Sequence, residues 1–180
     1  MPALAAAGAF GAVMASMLVW YAPSFERRFG LPVVDLAGLT TPAERMELIA
    51  AYGDAGREAY LTFLAIDCVF PICAGLFVFT TLRALLVWQQ LDRPWTRLML
   101  WWPAVGPLAD LTENAFHALL TLSFPDMASG IAQSAYIASS VKYLGVSVSQ
   151  VLLVLFLLRG AAVQLTRRTE QPSEARSIDT

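Results

Sequence analysis

Between Pro107 and Thr121 the sequence reads PLADLTENAFHALLT, and two carboxylates, an amide and an imidazole interrupt an otherwise apolar run. At about 100° per residue around a helix, Asp110, Glu113, Asn114, His117 and Thr121 fall on one side, with Leu108, Leu111, Ala115 and Leu119 on the other. Carboxyl and imidazole groups gathered on one apolar helix can donate, accept and relay protons. Ionisable groups in such a setting are costly to bury and mark functional positions. Two other segments carry groups of the same kind. REAYLTFLAIDCVFPICAG places Tyr60, Phe63, Asp67, Pro71 and Ala74 on one face, an aromatic and acidic wall. Pro71 has no N–H, so the carbonyl one turn back, at Asp67, loses its helical donor. AQSAYIASSVKYLGVSVSQ sets Lys142 on a face of small residues, Ala138, Ser139, Gly145 and Ser149, where an ammonium needs a carboxylate or a water-filled cavity.

The elements that hold these groups follow from composition. Of 180 residues, 57% are apolar and 14% charged, too apolar for an ordinary soluble domain. Four stretches reach the length of roughly 20 residues that crosses a bilayer, at about 3–21, 58–82, 98–123 and 131–158. The expectation is an all-α, polytopic membrane protein: a four-helix transmembrane bundle over 1–160 and a disordered cytoplasmic tail over 161–180. In the outer loop, 22–57, Thr41, Pro42 and Glu44 have the order of a capping box, so a short outer-face helix follows, with Met46, Leu48, Ile49 and Tyr52 as its apolar contribution. That helix could lie on the outer leaflet or cover the bundle mouth, and the cover is favoured because the polar stripe needs a lid. Gly53 and Gly56 allow the turn into helix two, and Arg57 can pair with Asp54 or Glu58 or contact a lipid phosphate.

Arg83, Arg93 and Arg97 flank the second turn and Arg159, Arg167 and Arg168 follow helix four, so these ends and both termini are expected in the cytoplasm. Trp95, Trp101 and Trp102 form an interfacial belt at the same end. The first segment is read as a retained helix rather than a cleaved leader. Its small residues, Gly8, Ala12 and Ser16 beside Ala7, Gly11 and Ala15, suit close helix packing, within the bundle, with a second copy or with a membrane partner. Net charge −2 without a basic patch argues against nucleic acid. Cys68 and Cys73, five residues apart on a helix, point apart and are read as free thiols.

A rise of 1.5 Å per residue puts Asp67 and Glu113 both ~15 Å below the outer surface, Lys142 ~18 Å, Asp110 ~20 Å and His117 ~9 Å. Three helices thus bring their ionisable groups to one depth, in a cluster expected to open outward. Three carboxylates sharing one lysine cannot all ionise cheaply, so one is expected to hold a proton. The pairing expected is Lys142 with Asp110, leaving Glu113 or Asp67 as the acid and His117 as a relay to the outer surface. The candidate catalytic set is Asp67, Asp110, Glu113, Asn114, His117 and Lys142, and Arg57, Tyr60 and Phe63 are candidate substrate contacts. The competing reading is a satisfied polar core that fixes helix register. Asp110, Glu113 and His117 resemble a metal set, and Asp-x-x-Glu-Asn a magnesium–diphosphate motif. One histidine and one acidic motif support neither strongly, so no metal or cofactor is assigned.

YGDAGREAYLTFLAIDCVFP, then ADLTEN, then VKYL resembles a pattern of small bacterial four-helix membrane proteins over positions 52–145. The matching positions are Gly53, Gly56, Arg57, Tyr60, Asp67, Pro71, Asp110, Glu113, Asn114 and Lys142, and the likeness implies the fold and no activity. The sterol isomerase type of bundle is similar in architecture alone, through acidic residues in an intramembrane cavity. The function expected is binding of a lipid-like or isoprenoid molecule in that cavity, with acid–base isomerisation or cyclisation, since no nucleophile with a partner is visible. The alternatives are a proton-coupled transporter or ion-conducting subunit, and a noncatalytic partner subunit of a membrane complex.

Overall fold

A computed structural model describes residues 2–38, 41–91 and 93–170, and the regular structure among them is helical throughout. Helix α1 (Pro2–Ala15) widens into a π-helical stretch (Ser16–Tyr21) and continues as α2 (Ala22–Phe29). Pro23 accounts for the widening, because it cannot donate to the carbonyl four residues back and its ring crowds it. Gly30, at φ 71°, ends α2 in the left-handed cap that glycine adopts without strain. A 3-10 turn (Val34–Leu36) leads to α3 (Pro42–Ala51), whose capping box is formed as expected: the Thr41 hydroxyl accepts from Glu44 N and the Glu44 carboxylate from Thr41 N. Gly53, at φ 65°, makes the sharp joint into α4 (Gly53–Asp67). α5 (Val69–Trp88) follows a one-residue break at Cys68, where Pro71 removes the bond to Asp67 O. A short α6 (Pro94–Met99) precedes α7 (Trp102–Leu122), and α8 runs from Ser129 to Glu170.

Three helical spans are long and apolar enough to cross a membrane: Leu4–Phe29, Gly53–Trp88 and Ser129–Thr166. The fourth expected span, 98–123, is divided between α6 and α7, and its stripe of charges keeps it below the apolarity of the others. Helices one, two and four also outrun their expected ends. Residues 161–170, placed in the tail by sequence, continue α8, while 171–180 lie outside the described residues.

α7 packs along α8 and against α5, and α1 packs on α5. The α7–α8 approach is backbone to backbone: a Cβ on Gly145 would lie 2.6 Å from Gly106 N. The largest buried cluster sits at one end, where Phe25, Tyr52, Tyr60 and Phe63 from α2, α3 and α4 interlock, Phe25 to Tyr52 at 5.1 Å and Tyr52 to Tyr60 at 5.4 Å between ring centres. The rest of the molecule is inverted relative to a soluble protein. Arg45, Asp67, Asp110, Glu113 and His117 are buried, while Leu4, Val19, Leu76, Leu122, Leu155 and Leu158 are more than half exposed.

Candidate functional site

α7 is the spine of the site. Its polar stripe, Asp110, Glu113, Asn114, His117 and Thr121, is buried against α3, α4 and α8. The Gly106–Gly145 contact, one turn beyond Asp110 and Lys142, brings α8 close enough for the ammonium to reach two carboxylates. Lys142 Nζ lies 3.2 Å from Asp110 Oδ1 and also pairs closely with Glu113 Oε2. The expected pair of Lys142 with Asp110 is present, and of the two acids expected to be left over, Glu113 or Asp67, Glu113 is engaged as well: it binds Lys142 with one oxygen and Arg45 with the other.

Arg45 was not among the residues singled out by sequence. It projects from α3, almost wholly buried, and its Nη1 donates to Glu113 Oε1 at 2.8 Å and to His117 Nε2 at 2.7 Å. Its Nη2 donates to Ser139 Oγ at 3.0 Å. A guanidinium only donates, so Nε2 of His117 must accept, and this assigns the ring proton to Nδ1, which faces Asp35 Oδ1 at 3.1 Å. Asp35, from the 3-10 turn, takes a second bond from the Tyr60 hydroxyl at 2.8 Å. Burial alone would raise the Asp35 pKa. The adjoining His117 ring and its hydrogen bond, the Lys142 charge and the Tyr60 hydroxyl outweigh that and hold the carboxyl below its ordinary value. Tyr52, which closes the same loop by donating to Pro32 O at 2.7 Å, has its phenol pushed up by burial.

A chain of contacts therefore runs Tyr60, Asp35, His117, Arg45, Glu113, Lys142, Asp110. Asp67 stands beside its end, accepting from Asn114 Nδ2 at 2.8 Å. The amide oxygen of Asn114 is buried and has no hydrogen-bond partner. The charge count expected from sequence is revised from three acids and one base to four acids and two bases, and an excess of acid remains.

Access to this layer differs from one side to the other. At the end covered by α3, where the cluster was expected to open, His117 is 0% exposed and Arg45 1%, so neither reaches the surface directly, while Asp35 beside His117 is half-buried. Asp67, Asp110 and Lys142 keep slight exposure, with side chains of Lys142 at 13% and Asp110 at 11%. Below them lies an apolar cavity of ≈ 360 Å³ between α1, α5, α7 and α8. Its walls include Phe70, Ala74, Pro107 and Val146, and so begin one helical turn from Asp67, Asp110 and Lys142.

None of the expected substrate contacts lines the apolar cavity. Tyr60 and Phe63 are buried in the aromatic cluster, Tyr60 as the donor to Asp35. Arg57 pairs with Asp54 at 2.5 Å, and its guanidinium covers the Phe124 ring 3.7 Å from the centroid. Sequence did hold a signal for the two missed residues. Arg45 falls on the apolar face of α3, four and seven residues before Ile49 and Tyr52, and Asp35 interrupts the apolar run LPVVDLAGL.

Among the described residues, Asp35, Glu113 and His117 offer metal-ligand atoms within 4.8 Å of one another. Arg45 already bonds two of them, and Asp110, expected in such a set, faces Lys142 instead. The donor set is thus matched by a permanently charged organic cation and does not fit a metal ion. Compared with protein-family models, curated proteins and solved structures, the chain matches none.

Proposed function

We propose that this is a multi-pass membrane protein that binds a lipid-like or isoprenoid molecule in the apolar cavity and presents the molecule's reactive end to Asp67, Asp110 and Lys142. The supporting observation is the register between cavity and charge: the apolar walls start one turn from Asp67, Asp110 and Lys142, each of which keeps slight exposure. α7 crosses as the fourth span in this reading. Its charges are turned inward while Leu108 and Leu122 face out at 62% and 69% exposure, so lipid would meet only its apolar side. In this reading the membrane is a bacterial plasma membrane, as the resemblance implies, and the arginine distribution supports cytoplasmic termini.

The chemistry assigned is proton transfer to or from the bound molecule, as in isomerisation or proton-initiated cyclisation. Glu113, held by two cations, serves as fixed counter-charge. Asp67 forms no ion pair among the described residues and is assigned the exchangeable proton. The unmatched Asn114 oxygen beside it accepts from the protonated carboxyl, and Asn114 thereby orients the acid. Asp110 and Lys142 stabilise charge that develops on the ligand.

Ala74 lines the cavity, so Ala74→Phe fills it without touching a charge. With the protein in detergent and tritiated geranylgeraniol as probe, wild type should bind saturably, Ala74→Phe should lose about tenfold in affinity, and Asp67→Asn should keep binding. Equal affinity of wild type and Ala74→Phe would remove the cavity from the proposal. Unchanged turnover of an identified substrate by Asp67→Asn would remove the acid.

A proton-coupled carrier would use the same contact chain as a relay. Arg45 stands in the middle of that chain and does not release protons at accessible pH, which favours the binding-cavity reading. Proton flux in proteoliposomes that depends on Glu113 would reverse this preference. A partner-subunit role draws on α1, where a Cβ added at Gly8 or Gly11 meets nothing within 4 Å.

A further inference from the structure

At the opposite end of the molecule from Arg45, two surface grooves adjoin and share Phe79 and Arg83. The first, ≈ 570 Å³, is bounded by Phe79, Arg83, Leu86, Arg97, Leu100 and Trp101. The second, ≈ 450 Å³, lies on the other side of Arg83 and is walled by Ala84, Val87 and Trp88. Both floors are apolar and exposed, with Trp101 at 75% and Val87 at 57%. Arg83 has no hydrogen-bond or ion-pair partner among the described residues, and Arg97, which has a partner of its own, lines the same groove from α6. An unpaired guanidinium between two greasy channels, with Trp101 in the wall of one and Trp88 in the wall of the other, has the pattern of a lipid headgroup flanked by its chains.

We infer that this end of the protein holds one anionic diacyl phospholipid, with its phosphate on Arg83 and one acyl chain in each groove. The ridge formed by Phe79 and Arg83 separates the chains. The negative charge is selected because a guanidinium forms charge-assisted, two-pronged bonds with phosphate oxygens. This goes beyond the proposed cavity function and depends only on the helices lying in a membrane.

The test is lipid retention by the whole protein, measured by native mass spectrometry after release from nanodiscs of phosphatidylcholine with or without phosphatidylglycerol. Wild type should keep one phosphatidylglycerol in preference to phosphatidylcholine. Arg83→Gln should weaken that retention about fivefold, the effect of one basic residue near a membrane surface, while Arg27→Gln, on α2 at the other end, should leave it unchanged. Ala84→Trp fills the second groove and keeps Arg83. It should lower retention of the diacyl lipid and spare the single-chain lysophosphatidylglycerol. Melting temperatures equal to wild type would tie these losses to the site rather than to folding. Equal retention of both headgroups, or no effect of Arg83→Gln, would overturn the lipid site. Displacement of the lipid by inorganic phosphate at millimolar concentration would assign Arg83 to a free anion instead, and an equal loss of one- and two-chain lipids in Ala84→Trp would overturn the two-groove seating.

Discussion

Arg45 is the residue on which the buried layer turns, since it alone bonds Glu113, His117 and Ser139 together. Removing one partner of a buried ion pair leaves the other uncompensated, which costs about 3–5 kcal/mol. Arg45→Met should therefore lower the melting temperature, by less than a full orphaning because Lys142 still faces Glu113, and adding Glu113→Gln should restore part of the loss. Strictly additive losses in that double-mutant cycle, read by thermal denaturation in detergent, would show that the two do not act as a pair. Asp35 makes a separate prediction in pH. Its folded pKa lies below its unfolded value, so its contribution to stability is complete above the unfolded pKa, near 3.8, and is lost as pH falls through the folded value. Wild type should lose melting temperature below about pH 4, and Asp35→Asn should show a flatter acid limb at lower overall stability. Glu44, whose carboxylate is held down by its bonds to Thr41, titrates in the same region, so Glu44→Gln is the control that isolates the Asp35 share. At this scale the sequence was partly legible. Asp67, Asp110, Glu113, His117 and Lys142 stand out because charge in an apolar run is rare. Arg45 and Asp35 lay in a loop whose charges looked balanced and solvated, and only the folding of that loop onto α7 gives them their roles.

The elements carry the site through a few backbone devices. Gly106 and Gly145 let α7 and α8 touch, and a side chain at Gly145 would meet Gly106 backbone atoms at 2.6 and 2.9 Å, where no rotamer change relieves the clash. Gly145→Leu should thus cost about 3 kcal/mol or more and push Lys142 away from Asp110. Thermal denaturation reads the first effect, and a distance between spin labels on α7 and α8 reads the second. Stability within error of wild type would mean that the helices can slide apart at little cost. Helix positions and the α3 capping box were legible because periodicity and caps are local signals. Helix ends were less so. α2 extends helix one past the expected end because a π-helical stretch absorbs Pro23, and α4 starts at Gly53 because the α3 joint needs only one residue of positive φ. The closed outer end was also hidden, although a cover helix was expected, because sequence placed α3 over a mouth and gave no sign that its arginine fills it.

For the whole molecule the open question of physics is whether α7 crosses the membrane, because three spans satisfy the apolar criterion and α7 does not. Mean apolarity treats all sides of a helix alike. α7 turns its charges onto α3, α4 and α8, so the cost of carrying them falls on the protein interior rather than on lipid. α8, with 42 residues, is about 63 Å long, roughly twice the hydrocarbon thickness, so one of its ends must stand in water. Two turns decide the topology: the α5–α6 turn at Gln90 and the α7–α8 turn at Ala128, both exposed. If α7 crosses, they lie on opposite sides. If α7 only dips and returns, they lie on the same side, and the acidic layer would then open toward that side. With Cys68 and Cys73 replaced by serine, Ala128→Cys in intact spheroplasts should react with a membrane-impermeant maleimide. Gln90→Cys should react only after permeabilisation, in line with the arginines around that turn. Labelling of both from one side would reduce the protein to three spans. It would also change the meaning of Arg45, from a seal over the outer end of a bundle to a bolt holding a re-entrant helix in place.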